Sequence, residues 1–135
     1  MGIREELEQI ARLWITLWCA PVDWGLYYRL HAEHFEDCSP AGRPKDKAGF
    51  AGGLAAFITA FSDLQTRVED LVVDESRSMV TVRWSAQGTN RAAFLGIGPT
   101  ERLTRITGIE IIEIRNGQIT RRWGEWDISD HRQGG

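Results

Sequence analysis

Glu110 is the residue that most invites a chemical reading. It falls at period two with Ile106, Gly108, Ile112 and Ile114 on one face of a strand, while Ile109 and Ile111 occupy the other. An ionised carboxylate among isoleucines is costly to bury, so Glu110 needs a cationic partner, a proton, or a wet cavity in front of it; the plain alternative is a solvated strand edge. A second acid comes from His34-Phe35-Glu36-Asp37-Cys38, where alternation gives Phe35 and Asp37 one direction, so that a core-facing Phe35 turns Asp37 inward. Two inward acids in unlike settings can divide a proton transfer: Asp37, near a solvated strand end, is expected to stay ionised, and Glu110, its pKa raised by apolar neighbours, to be able to donate as a neutral acid.

The partner of Glu110 depends on the hairpin at Arg115-Asn116-Gly117. With Asn116-Gly117 as a two-residue turn, Arg115 faces Gln118 and Glu110 faces Trp123, with Arg121 and Glu125 alongside. With Gly117 as the bulge of a three-residue loop, Ile114 faces Gln118, and Glu110 faces Arg122 beside Gly124 and Trp126. In the second register Arg122 lowers the Glu110 pKa and makes the pair either a polar anchor for a ligand or a structural ion pair. Trp14 and Trp126 offer rings that either line a cavity or fill the core. His31, His34, Asp37 and Cys38 are close in sequence, but His34 alternates away from Asp37, so no metal site is expected. No nucleophile triad or phosphate loop stands out, Gly96-Ile97-Gly98-Pro99 reads as a hairpin tip, and no cofactor is expected.

Several elements must position these groups. Ile3, Leu7, Ile10, Trp14, Leu17 and Trp18 form the apolar stripe of a helix of about four turns that Pro21 closes. Asp23 caps a shorter helix with His31 near its end, and Asp46 starts a third, with Phe50, Leu54, Phe57, Ile58 and Phe61 on its buried face. Gly49, Gly52 and Gly53 weaken that third helix, in exchange for close packing or for mobility over a cavity mouth. The period then changes to two: Val68 to Val73, Met79 to Gln87 and the two long strands of Arg102 to Asp127 form a meander. Three helices ahead of antiparallel strands indicate an α+β domain with helices on one face of a curved sheet. A chain of 135 residues supports one domain, 1–135, with a single core. The net charge of −3 gives no basic excess for nucleic acid, and no run is long and apolar enough to span a membrane. Two cysteines without Cys-x-x-Cys spacing make a cytoplasmic, reduced setting the expectation.

The segments Gly88-Thr89-Asn90-Arg91-Ala92-Ala93-Phe94-Leu95-Gly96-Ile97-Gly98-Pro99-Thr100-Glu101-Arg102, Thr107-Gly108-Ile109-Glu110, Arg115-Asn116-Gly117-Gln118-Ile119 and Trp123-Gly124-Glu125-Trp126-Asp127 resemble the SnoaL-like polyketide cyclases, as do Ala60 to Leu64 and Val68-Glu69-Asp70 upstream. The resemblance implies a nuclear-transport-factor-two-like cone: a strongly bent antiparallel sheet around three N-terminal helices, an internal pocket for a small apolar or aromatic molecule, and a homodimer, whose interface the apolar residues on both faces of the Ile106 to Ile114 strand place on the sheet. It also implies a cofactor-free aldol cyclisation, with an Asp of the last strand handling the proton. That position is Gly124 here. A histidine of characterised cyclases falls on Glu110, another on Asn90, and Glu101 replaces a turn glycine. The second hairpin register agrees with the direction that the family's Asp must take, so Arg122, Trp126 and Asp127 join Trp14 as pocket candidates. A shorter similarity to ketosteroid isomerase places its general base on Asp37, its neutral acid on Glu110 and its tyrosine near Trp14. The alternative is a non-catalytic binding or dimerisation domain on the same fold.

Overall fold

A computed structural model describes residues 2–96 and 98–128. The elements run α1 (Ile3–Ile15), a 3-10 turn (Thr16–Trp18), α2 (Trp24–Leu30), β1 (His31–Asp37), α3 (Lys47–Ala60), β2 (Gln65–Asp74), β3 (Met79–Thr89), β4 (Leu103–Arg115) and β5 (Gln118–Asp127). The expected first helix therefore tightens before its last stripe residues. Leu17 and Trp18 are nevertheless buried from the 3-10 turn, whereas Ile3 is exposed. The helix starts behave as their caps predict: the Asp23 side chain accepts from Leu26 N and the Asp46 side chain from Gly49 N.

The five strands form one open sheet in the order β1-β5-β4-β3-β2. Four of them are the expected antiparallel meander, but β1 joins β5 in parallel, so the sheet is mixed. Such a pairing joins strands far apart in sequence and leaves no local turn signal to read. The strand before the loop also begins earlier than expected, because the backbone of His31 is already extended where α2 ends. Burial follows the alternation of β4: Ile106, Ile112 and Ile114 are buried and Ile109 and Ile111 exposed.

The β4–β5 hairpin combines features of both anticipated registers. Asn116 and Gly117 both have positive φ, and Arg115 pairs with Gln118, which makes a two-residue turn. The bulge lies within β5 instead of the loop: Ile114 pairs with Ile119 and Glu113 with Arg121, leaving Thr120 extra. The Thr120 hydroxyl fills the gap by donating to the Glu113 carboxylate at 2.7 Å. Beyond this step Glu110 pairs directly with Gly124 rather than with Trp123 or Arg122. Ile112 takes Arg122 as its partner and Gly108 takes Trp126, so both side chains flank Glu110 diagonally on its own face.

The core between helices and sheet is strongly aromatic. One group joins Trp14, Trp18, Tyr27, His31, Phe35 and Phe50, and the other Phe57, Phe61, Phe94, Trp84 and Trp126. No helix among the described residues is long and apolar enough to cross a membrane.

Candidate active site

Both predicted acids are buried, Asp37 at 0% exposure and Glu110 at 3%, and both bind the same guanidinium. Arg122 Nε donates to Glu110 Oε1 at 2.7 Å, and Arg122 Nη1 to Asp37 Oδ1 at 3.0 Å and to the Ser39 carbonyl at 3.1 Å. Glu110 Oε2 accepts from two indoles, Trp126 Nε1 at 2.8 Å and Trp84 Nε1 at 3.1 Å. Asp37 also accepts from Ser39 N at 3.0 Å and from Arg43 Nη2 at 2.7 Å. The strand end at Asp37 is thus not solvated: the loop after β1 folds back and places Ser39 and Arg43 over it. Local geometry keeps that loop close, since Asp37 N donates to the Lys45 carbonyl and Gly124 N to the Ser39 hydroxyl.

Burial pushes the Glu110 carboxyl above its ordinary range, opposed by the Arg122 charge and by the N–H groups of Arg122, Trp84 and Trp126. All three of those neighbours are donors. None offers an acceptor for a carboxyl proton, so this shell is built to hold a carboxylate. For Arg122, burial alone would favour the neutral form, but Glu110 and Asp37 more than offset it and hold the guanidinium above its ordinary value.

A cavity of about 620 Å³ opens beside this cluster, within the range of roughly 300–1,000 Å³ usual for small-molecule sites. Its apolar wall includes Trp18, Phe50, Leu54, Phe94, Leu95 and Trp126, and its polar wall is Arg43, Ser39, Arg122 and Glu125. Arg122 and Trp126 therefore reach it, while Asp37 and Glu110 stand behind Arg122 and are not on its wall. Trp14 is fully buried; its indole donates to His31 Nε2 at 3.1 Å, and it borders a void of about 10 Å³ and is not on the wall of the larger cavity. Asp127 is exposed, one residue past Trp126 and so on the opposite side of β5. Asn90 spends its side chain on the loop after β3, accepting from Thr100 N at 2.6 Å and donating to the Ala92 carbonyl at 3.2 Å. No group of three or more His, Cys, Asp or Glu among the described residues is placed to hold a metal.

Gly124 is explained by its neighbours. A Cβ built there would overlap Arg122 Nη2 and Glu110 Oε1, so the guanidinium and its carboxylate fill the space in front of this backbone. Sequence reasoning missed Trp84, Phe50 and Arg43. For Trp84 a signal existed in its cross-strand partner Gly108, whose missing side chain leaves room for the indole. Arg43 lies in a loop without periodicity and gave none.

The family model of the SnoaL-like polyketide cyclases matches residues 8–133. Among solved structures, TsrD from Streptomyces laurentii superposes with a TM-score of 0.84 at 21% identity, covering 98% of this chain and 96% of that one. IdmH from Streptomyces antibioticus gives 0.79 at 24% identity over 96% and 97% of the two chains. A protein proposed to be a SnoaL-like polyketide cyclase from Jannaschia sp. CCS1 gives 0.82 at 17% identity over 96% and 90%. At these identities the likeness establishes the fold. No curated protein matches the chain.

Proposed function

The chain belongs to the SnoaL-like polyketide cyclase family, and from that premise we propose that it is a cofactor-free, cyclase-type enzyme acting on an apolar carbonyl compound held in the 620 Å³ cavity. The observation that carries this reading is the setting of Arg122. Its Nε and Nη1 are fixed by Glu110, Asp37 and Ser39, while Nη2 makes no hydrogen bond among the described residues and belongs to a side chain on the cavity wall. A fixed donor of this kind suits an enolate oxygen, because its orientation is set before charge develops. In a poly-β-ketone the methylene between two carbonyls is already acidic. Stabilising its enolate and folding the chain against Phe94 and Trp126 then supply the larger share of the barrier reduction. Asp37 and Glu110 act in this reading by aiming Arg122, and the proton passes to water in the cavity.

The test is a panel of aromatic and steroid ketones and β-diketones, followed by tryptophan quenching, α-carbon deuterium exchange and product analysis. Quenching, exchange and a ring-closed or isomerised product are expected, with exchange falling on the order of 10²- to 10³-fold in Arg122→Gln, the usual loss for one oxyanion donor. A second reading, a binding domain without turnover, is favoured by Gly124 at the family's proton-handling position and by two acids that do not reach the cavity. Quenching without exchange or product across the panel would select it.

A further inference from the structure

We propose that Arg43 and Arg122 form a carboxylate subsite on the cavity wall, so that the ligand is an apolar molecule carrying an organic carboxylate; the inference rests on the cavity being the ligand site argued above. The two guanidiniums are bridged by one buried acid, Arg43 Nη2 on Asp37 Oδ2 and Arg122 Nη1 on Asp37 Oδ1. Both lie near the Phe50 ring, with their central carbons 5.5 and 5.3 Å from its centroid, so they share one corner of the cavity. Their neutralising carboxylates lie behind them, off the wall. Turned the other way, Arg43 Nη1 and Arg122 Nη2 make no hydrogen bond among the described residues. Neither of these two nitrogens is a sealed, unpartnered atom, whereas Arg43 Nε is. The remaining wall is apolar and aromatic apart from Ser39 and the exposed Glu125.

Local sequence builds the seat of Arg43. A Cβ at Gly53 would overlap the Arg43 side chain, and one at Gly49 would overlap the Pro44 carbonyl, so two glycines of α3 let the loop and its arginine lie directly on the helix. Gly42, at φ +88°, turns the chain just before it. Holding an arginine here with its Nε unpartnered opposes folding, and the outward donors give that arrangement a use. Arg43 Nη1 and one N–H of Arg122 Nη2 match the two oxygens of a carboxylate, and the second N–H of Nη2 is left for the enolate oxygen.

The experiment compares 2-naphthoate with its neutral methyl ketone, 2-acetonaphthone, by isothermal titration calorimetry. The wild-type protein is expected to bind naphthoate at least tenfold more tightly. Arg43→Gln, checked for native circular dichroism, is expected to bring that ratio down at least fivefold, and Arg43→Lys to restore part of it. Equal affinities in the wild-type protein overturn the proposal without needing any variant, and so does a folded Arg43→Gln that keeps the full ratio. If acetonaphthone binds and naphthoate gains nothing, the carboxylate subsite falls while the cavity reading stands. If neither binds, both fall.

Discussion

Gly124 is a glycine because two neighbouring side chains already occupy the space that any larger residue would need. Gly124→Ala is therefore expected to cost about 1–3 kcal/mol, the usual range for overpacking, measured by urea denaturation. Gly124→Asp should be worse, because it adds a third carboxylate to Asp37 and Glu110 around one guanidinium. Arg122 is the more sensitive residue still. Arg122→Met leaves both acids buried without their shared cation, which predicts a loss of about 3–5 kcal/mol, whereas Glu110→Gln keeps an oxygen for the indoles and should cost less. An unfolding free energy for Arg122→Met within about 1 kcal/mol of wild type would mean that the acids find other partners and that Arg122 does not organise the site. Replacing the whole cluster with apolar residues of similar volume is a different change, and it need not destabilise at all. That asymmetry argues that the charges are retained for what Arg122 presents to the cavity.

At the scale of elements, a single imidazole joins α1 to the α2–β1 junction. His31 Nδ1 lies 2.8 Å from the Tyr27 carbonyl and Nε2 accepts from Trp14, so the ring is a neutral Nδ1–H tautomer between two fixed partners. Burial lowers its pKa from 6.5 to about 4. Because the unfolded chain takes up this proton first on acidification, the stability linked to His31 is complete above pH 6.5 and is lost as pH falls toward 4. The shift corresponds to about 3 kcal/mol at most. His31→Gln retains an acceptor for Trp14 and should flatten the pH slope in that window. Glu113 titrates in a separate window: the Arg121 hydrogen bond lowers its carboxyl to about 2, so its contribution is present above pH 4.5 and lost between 4.5 and 2. The raised Glu110 carboxyl adds a slope of opposite sign, so the comparison is between proteins: a His31→Gln variant that loses as much stability as the wild type from pH 7 to 4.5 would contradict the buried neutral imidazole. The elements themselves were legible where a local rule governs them, as at the Asp23 and Asp46 caps, the alternation of β4 and the Asn116-Gly117 turn. The Thr120 bulge was not, because it arises from how two formed strands pair. The β1–β5 pairing and the placement of Arg43 depend on chain return over long sequence distances. The inward direction of both acids could be read from alternation, but their common partner could not be fixed until the bulge set the register.

At the scale of the whole molecule, the sheet has one face covered by helices and one bare. Val72, Thr81, Ile111 and Trp123 form a cross-strand row over β2, β3, β4 and β5, and Ile109 lies one step along β4 on the same side. Val72 is 65% exposed, Ile109 50% and Ile111 38%. A row in which three of the four residues are apolar, extended by Ile109, is more than the scattered exposed side chains normal for a monomer, and it suits a self-complementary contact about a two-fold axis. We propose that the chain pairs with a second copy through this face. Light scattering should then give a dimer mass for the wild-type protein, and Val72→Lys with Ile111→Lys should give a monomer. The substitutions lie on the side of the sheet away from the cavity, so the monomer should still quench with 2-acetonaphthone. A wild-type monomer at every concentration tested rejects this interface. A variant that stays dimeric rejects it too, because two lysines in each copy would face their counterparts across the axis, where desolvation and like-charge repulsion oppose association.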